Sequence, residues 1–369
     1  MPEPHRTRVA VVAYHVGERG GEERVLAETV RRTQDRVSWV VVSARLDPAL
    51  RPLVDWRRVP APAAPFRARL GAMLALGGAR LATTRAELVH VSGPLLLNRV
   101  DLASVHFLRA AFYEAIGAAL SRTTRAHLAL ERRALGRARA LLAPSQFMKR
   151  ELDRRFPGKP VSVVPNGVDL ERYRPDAADR AAVREELEAG DRLVALFAGH
   201  GWTRKGLVPA VEALALARSR GADAELWVAG EGDPARYGAI AETHGVRRHV
   251  RFLGPRRDLD RLLRGADVLV LPSSFESFGL VVLEAAASGV PALATATGVV
   301  EELAGDGEGG LVVEREPEQI AAALTALAAD PGRRAAMGLA ARRRAEGYTW
   351  ERSIEALLDV YERLLARKR

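Results

Sequence analysis

Two glutamates stand with seven residues between them in Pro272-Ser273-Ser274-Phe275-Glu276-Ser277-Phe278-Gly279-Leu280-Val281-Val282-Leu283-Glu284-Ala285. An apolar strand ends at Leu271, a loop carries Glu276, and a helix begins near Phe278–Leu280, which puts Glu284 about a turn inside it. The first amides of a helix lack intrahelical partners and lie at the positive end of its dipole, so they can receive an anionic or polar ligand. Gly279 lets that ligand come close to the backbone. Carboxylates framing an anion site suit a ligand with both hydroxyls and phosphate. Glu276 then suits a hexose and Glu284 a ribose diol.

These residues need a scaffold, and the chain alternates short β-branched runs with helical stretches. Strands are predicted at Arg8–Ala13, Val37–Ser43, Leu88–Ser92, Leu102–His106, Ala138–Ala143 and Val161–Val164. Helical spacing runs through Glu22–Arg32, Phe66–Arg85, Leu108–Gly136 and Ser145–Phe156. The theme repeats with strands near Leu193–Ala198, Glu225–Ala229, Val250–Leu253, Asp267–Leu271, Ala292–Thr295 and Gly310–Val313. Apolar strands separated by helices predict parallel sheets covered on both faces. The turn Asn166-Gly167-Val168-Asp169 marks a hinge region, and the domains are placed at 1–180 and 181–349. Residues 350–369 form an amphipathic helix through Ile354, Leu357, Leu358, Tyr361, Leu364 and Leu365.

Composition narrows the class. At 369 residues two domains are expected, and 48% hydrophobic with 28% charged residues is globular. The absence of cysteine removes disulfides, thiolate metal sites and cysteine nucleophiles. No apolar run has the length of a membrane span, and Met1–His5 lead straight into a strand without an apolar signal region, so a cytoplasmic location is expected. Residues 1–180 carry 31 Lys/Arg against 18 Asp/Glu, whereas the remainder carries 25 against 28. A basic first half suits an anionic partner, although arginines spread over solvated helix faces give the same count.

The Glu276–Glu284 string resembles the E-x7-E motif of retaining glycosyltransferase family 4, and the resemblance extends over nearly the whole chain. It implies the GT-B fold: two Rossmann-like α/β domains facing across a cleft, the C-terminal helix crossing back to the first. The first domain then binds the acceptor and the second a nucleotide-sugar donor. Ala198-Gly199-His200-Gly201-Trp202-Thr203-Arg204-Lys205-Gly206 matches the family's diphosphate loop, with Arg204 and Lys205 on the leaving diphosphate. Many members carry arginine where His200 stands; the adjacent Arg-Lys-Gly looks closer to lipopolysaccharide-core glucosyltransferases. Gly20 and Gly21 resemble the first Gly-Gly loop, which approaches the donor, and His15 stands just before it. His106 matches a histidine near the donor sugar. Arg251-Phe252-Leu253-Gly254 resembles the segment beside the donor base, with Leu253 as the contact. Gly199, Phe278, Gly279 and Leu280 complete the expected donor site, while Gly298 and Glu301 fit a Gly-Gly-x-x-Glu pattern lacking one glycine.

The resemblance implies transfer of a hexose-type sugar with retention by front-face displacement, the leaving phosphate taking the acceptor's proton. Arg204 and Lys205 can replace a metal, so metal independence is expected, with no cofactor and no metal ligands. A UDP-sugar is favoured over a GDP-sugar. Two other readings are a non-catalytic scaffold that binds nucleotide sugars and a nucleotide-sugar epimerase. The expected acceptor is anionic, lipid-linked or a small molecule. Phe66–Arg85 and Leu108–Gly136 have arginines beside apolar residues, as core-packing helices do and as helices in peripheral contact with an anionic membrane do. Nucleic acid is not an expected partner, because no recognised module or aromatic–basic interleaving accompanies the charge.

Overall fold

The computed structural model describes residues 6–18, 20–62 and 66–368. The Met1–His5 segment lies outside them. Two compact units form: residues up to Gly167 with Trp350–Arg369, and Val168–Thr349. Residues 168–180 therefore fold with the second unit, where the helix Ala177–Glu186 packs on Leu259–Gly265.

The first unit holds β1 (Thr7–Val16), β2 (Val37–Leu46), β3 (Val54–Arg58), β4 (Leu88–Ser92), β5 (Val100–Ser104), β6 (Ala138–Ala143) and β7 (Val161–Val163). They make a parallel seven-stranded sheet in the order β3-β2-β1-β4-β5-β6-β7. β3 was not predicted. It is an edge strand of Val-Asp-Trp-Arg-Arg, too polar to read as a buried run.

Two predicted helices are interrupted. Leu108–Gly136 divides into Arg109–Ala115 and Arg122–Gly136. Gly117 turns left-handed between them at φ +59°, and Ser121 Oγ caps the second helix by accepting from Thr124 N at 3.1 Å. Within Phe66–Arg85, a wide π-type turn at Met73–Gly77 separates Phe66–Ala72 from Gly78–Ala82.

The C-terminal helix Trp350–Ala366 belongs to the first unit and buries Ile354, Leu357, Leu358, Tyr361 and Leu364 in its core. Gly167 sits against the backbone of Trp350; a Cβ there would lie 2.5 Å from Trp350 Cα, so no other residue fits. Tyr361 Oη lies 2.7 Å from His90 Nδ1, and His90 Nε2 bonds Ser104 Oγ. Burial, with a smaller contribution from His106, pushes His90 down to about 3. The native protein thus holds a neutral imidazole that the unfolded chain protonates below pH ~6.5, and acid favours unfolding across that interval. Stability attributable to His90 is expected to fall by ~2 kcal/mol between about pH 7.5 and about pH 5. Urea unfolding of wild type and His90→Gln at both pH values checks this; equal acid losses in the two proteins would remove His90 as the cause.

The second unit holds β8 (Leu193–Ala198), β9 (Ala224–Ala229), β10 (Val250–Gly254), β11 (Val268–Leu271), β12 (Ala292–Ala294) and β13 (Gly310–Val312). They form a parallel sheet in the order β10-β9-β8-β11-β12-β13. Its central strands β8, β9, β11 and β12 are buried throughout. Strand order reverses between β8 and β11, and in the first sheet between β1 and β4. Open α/β sheets bind ligands at the carboxyl ends of strands flanking such a reversal.

Candidate functional site

The loop after β8 holds Gly199 and Gly201 at φ +128° and +72°. One helical turn follows, Trp202–Lys205, and then Gly206 at φ +86° before the helix Leu207–Ser219. Arg204 and Lys205 therefore end that turn, directly ahead of the longer helix's N-terminus. The turn is braced by Trp202, whose Nε1–H donates to Gly199 O at 3.0 Å and whose ring stacks on Phe252. Thr203 Oγ1 and Tyr237 Oη are 2.8 Å apart.

The loop after β11 comes to these cations. Glu276 Oε1 accepts from Arg204 Nη1 and Lys205 Nζ, each at 2.8 Å, and from Ser273 Oγ at 3.1 Å. Arg204 Nη1 also donates to Phe275 O at 2.6 Å. Ser274 N donates to Arg204 O at 2.8 Å, joining the loop backbones. Both Glu276 and Lys205 are buried. Burial raises the Glu276 carboxyl, but the Lys205 and Arg204 charges outweigh it and hold the group below its ordinary value. Buried ion pairs stabilise a fold little, because desolvation offsets attraction. What this one supplies is position: two cations and one carboxylate with a net single positive charge, fixed at the sheet's reversal point.

Gly279 then turns left-handed at φ +84° and starts the helix Leu280–Ala287. Phe278 is buried, and its carbonyl accepts from Val299 N at 2.8 Å. A Cβ on Gly298 would lie 2.2 Å from that carbonyl oxygen, so the single glycine remaining in the Thr297-Gly298-Val299 loop is sterically required. Glu301 lies in the first turn of the following short helix, Val300–Ala304. Glu284 is buried in the helix opened by Gly279. Leu253, on β10, packs partly buried against the second unit's core. His200 is exposed, and its Nδ1 accepts from Glu231 N at 3.4 Å.

In the first unit, Gly20 caps the helix Gly21–Arg32 with extended backbone, φ −142°. A Cβ there would meet only the movable carboxylate end of Glu23, Oε2 at 2.1 Å. Ser92, ending β4, donates to Glu22. His106 follows β5; burial lowers its pKa while the Glu22 and Glu23 charges raise it. Gly20, Glu22, Glu23, Ser92 and His106 thus gather at the first sheet's reversal, whereas His15 occupies the register position beside Arg45 on β2.

Sequence reasoning did not assign Ser273, although it lies three residues before the glutamate it binds. The expectation of metal independence also took the chain to lack an Asp-x-Asp motif, whereas Asp258-Leu259-Asp260 has that pattern. Arg256 binds Asp258 at 2.7 and 2.8 Å, and Arg172 binds Asp260 at 3.2 Å.

Residues 179–344 match the family described as glycosyl transferases group 1, and residues 19–172 match glycosyltransferase family 4. A D-inositol 3-phosphate glycosyltransferase from Salinispora tropica is 35% identical over 260 residues, covering 65% of this chain and 54% of that protein. The chain spans about half the length of the curated relatives it matches. WaaG, a glycosyltransferase involved in lipopolysaccharide biosynthesis, shares the fold with a TM-score of 0.83 at 22% identity, over 95% of this chain and 99% of that one. Sucrose-phosphate synthase from Thermosynechococcus elongatus does so at 0.82 and 21%, over 98% and 100%. Among the described residues, no helix is long and apolar enough to cross a membrane.

Proposed function

The chain belongs to the group 1, family 4 glycosyltransferases, which share the GT-B fold, and from that membership we propose that it moves a hexose-type sugar from a nucleotide-sugar donor to an acceptor hydroxyl. The observation that carries this reading is the fixing of Arg204, Lys205 and Glu276 together at the reversal of the second sheet.

Oε1 of Glu276 is occupied by the two cations and Ser273, so Oε2 is assigned to the donor sugar's hydroxyls. Arg204 and Lys205 take the diphosphate, aided by the first-turn amides after Phe278-Gly279-Leu280 and the backbone of Gly199. Glu284 takes the ribose diol, and the Leu253 segment lies along the base. Gly20 and Gly21 approach the donor, and His106 bonds a sugar hydroxyl. The first unit takes the acceptor.

Transfer then proceeds on one face of the sugar. The acceptor oxygen bonds to the anomeric carbon as the carbon–phosphate oxygen bond breaks, and the leaving phosphate oxygen receives the acceptor's proton. Configuration is retained without a protein nucleophile. Negative charge accumulates on the diphosphate, where Arg204 and Lys205 stabilise it without a divalent metal. A UDP-sugar is the favoured donor. The basic first half suits an anionic acceptor, lipid-linked or small, and peripheral contact with the inner face of a membrane; a cytoplasmic location belongs to the same proposal.

A thermal-shift panel of UDP, GDP, ADP, CMP and dTDP tests the donor site. One nucleotide, UDP first, is expected to raise Tm, as any ligand binding only the native state does. Glu284→Ala should weaken that nucleotide about tenfold through loss of a charged hydrogen bond. Stabilisation by none of the five would count against a donor site.

A further inference from the structure

At the carboxyl edge of the first sheet, register gathers basic side chains on one face. His15 on β1 pairs with Arg45 on β2, and Ser43 on β2 pairs with Arg58 on β3. Side chains alternate along a strand, so residues two apart share a face. Arg45 therefore lies on the face of Ser43, and Trp56 on that of Arg58; Trp56 Nε1–H donates to Ser43 Oγ at 3.0 Å. The short helix Pro48–Leu53 adds Arg51, whose guanidinium stands 5.0 Å from the Trp56 ring centre. Together they line a concavity of about 580 Å³.

Two carboxylates share it, and both are committed. Glu18 pairs with Arg31 at 2.5 Å, and Asp47 Oδ1 caps the short helix by accepting from Ala49 N at 3.0 Å. Among the described residues, no carboxylate pairs with Arg45, Arg51 or Arg58. Three arginines against two carboxylates, none of the three held in an ion pair among the described residues, match a tetrahedral oxyanion, which guanidinium forks bind through paired N–H donors. Trp56 lines the hollow beside Arg51 and offers apolar surface to the carbon skeleton bearing that group.

We propose that this hollow binds a phosphate ester and that the acceptor carries it. Assignment to the acceptor rests on the transfer reading above, whereas anion binding by these residues does not. The phosphate belongs to a soluble sugar or polyol or to a lipid headgroup, and the test separates the two.

The full chain is titrated calorimetrically with glucose 6-phosphate, with glucose as the neutral control, and is sedimented with phosphatidylglycerol vesicles against phosphatidylcholine ones. Each measurement is repeated on Arg45→Ala/Arg58→Ala and on Arg204→Ala/Lys205→Ala, which strips the other cation pair. Glucose 6-phosphate, phosphatidylglycerol or both are expected to bind, at least tenfold more weakly to the Arg45/Arg58 variant and unchanged to the Arg204/Lys205 variant; the probe that binds names the source. Arg45 and Arg58 are exposed, so an unaltered Tm shows that the variant has folded. Binding of neither probe, binding retained by the Arg45/Arg58 variant, or a loss confined to the Arg204/Lys205 variant would overturn the proposal. Failure of the transfer reading looks different: no nucleotide shifts Tm, yet the Arg45/Arg58-dependent anion still binds.

Discussion

Lys205→Ala is expected to lower turnover of the preferred nucleotide sugar by ~100- to 1,000-fold, the range for removing one preorganised charge from a developing anion. Lys205 Nζ is buried, and its bond to Glu276 Oε1 holds it at a fixed place before substrate arrives. A cation held this way needs little reorganisation in the transition state, so its full effect falls on the charge leaving with the diphosphate. The variant also leaves the buried Glu276 with Arg204 and Ser273 alone. Its carboxyl should rise, because Lys205 is the largest contribution holding it down. Release of nucleoside diphosphate, followed as kcat and KM separately, measures the effect. Loss concentrated in KM with kcat preserved would make Lys205 a ground-state binder and contradict its proposed role.

Gly206→Ala is expected to cost ~2–4 kcal/mol of stability and to abolish donor binding together with it. Two effects coincide there. The backbone is left-handed at φ +86°, and a Cβ would stand 2.2 Å from the carbonyl oxygen of Pro272. That oxygen belongs to the loop carrying Glu276, so relief of the clash must separate the cations from their carboxylate. Gly201→Ala supplies the contrast: φ is +72° but nothing lies within 4 Å, leaving only the ~1 kcal/mol cost of a left-handed alanine. Urea unfolding of both variants distinguishes the cases. Equal losses would show that close approach to Pro272 contributes nothing.

Much of this was legible before any coordinates. The Glu276-to-Glu284 string and the Arg204-Lys205-Gly206 loop each follow an apolar strand, and that pattern alone put them at strand ends. Their meeting was not legible, because it depends on β8 and β11 being neighbours although 69 residues of chain, Gly199–Asp267, lie between them. Glu276 was accordingly given to sugar hydroxyls, without the ion pair that occupies one of its oxygens. His90 drew no attention, since neither its burial nor its approach to Tyr361 has a local signal. The split at Leu108–Gly136 did have one, in Gly117 and Ser121, but helical spacing on both sides concealed it. Arg45, Arg51 and Arg58 were counted only as diffuse charge. Placing them together required β3, whose own arginines had hidden it as a strand.

The proposed transfer requires the loops after β8 and β11 to hold the donor's diphosphate and sugar. Hydrogen exchange with and without saturating UDP, or whichever nucleotide raises Tm, tests it most directly. Slower exchange is expected in Gly199–Gly206 and Pro272–Glu284, with less slowing in Lys205→Ala at the same nucleotide concentration. Nucleotide binding that slows exchange elsewhere and leaves both loops unchanged would contradict it.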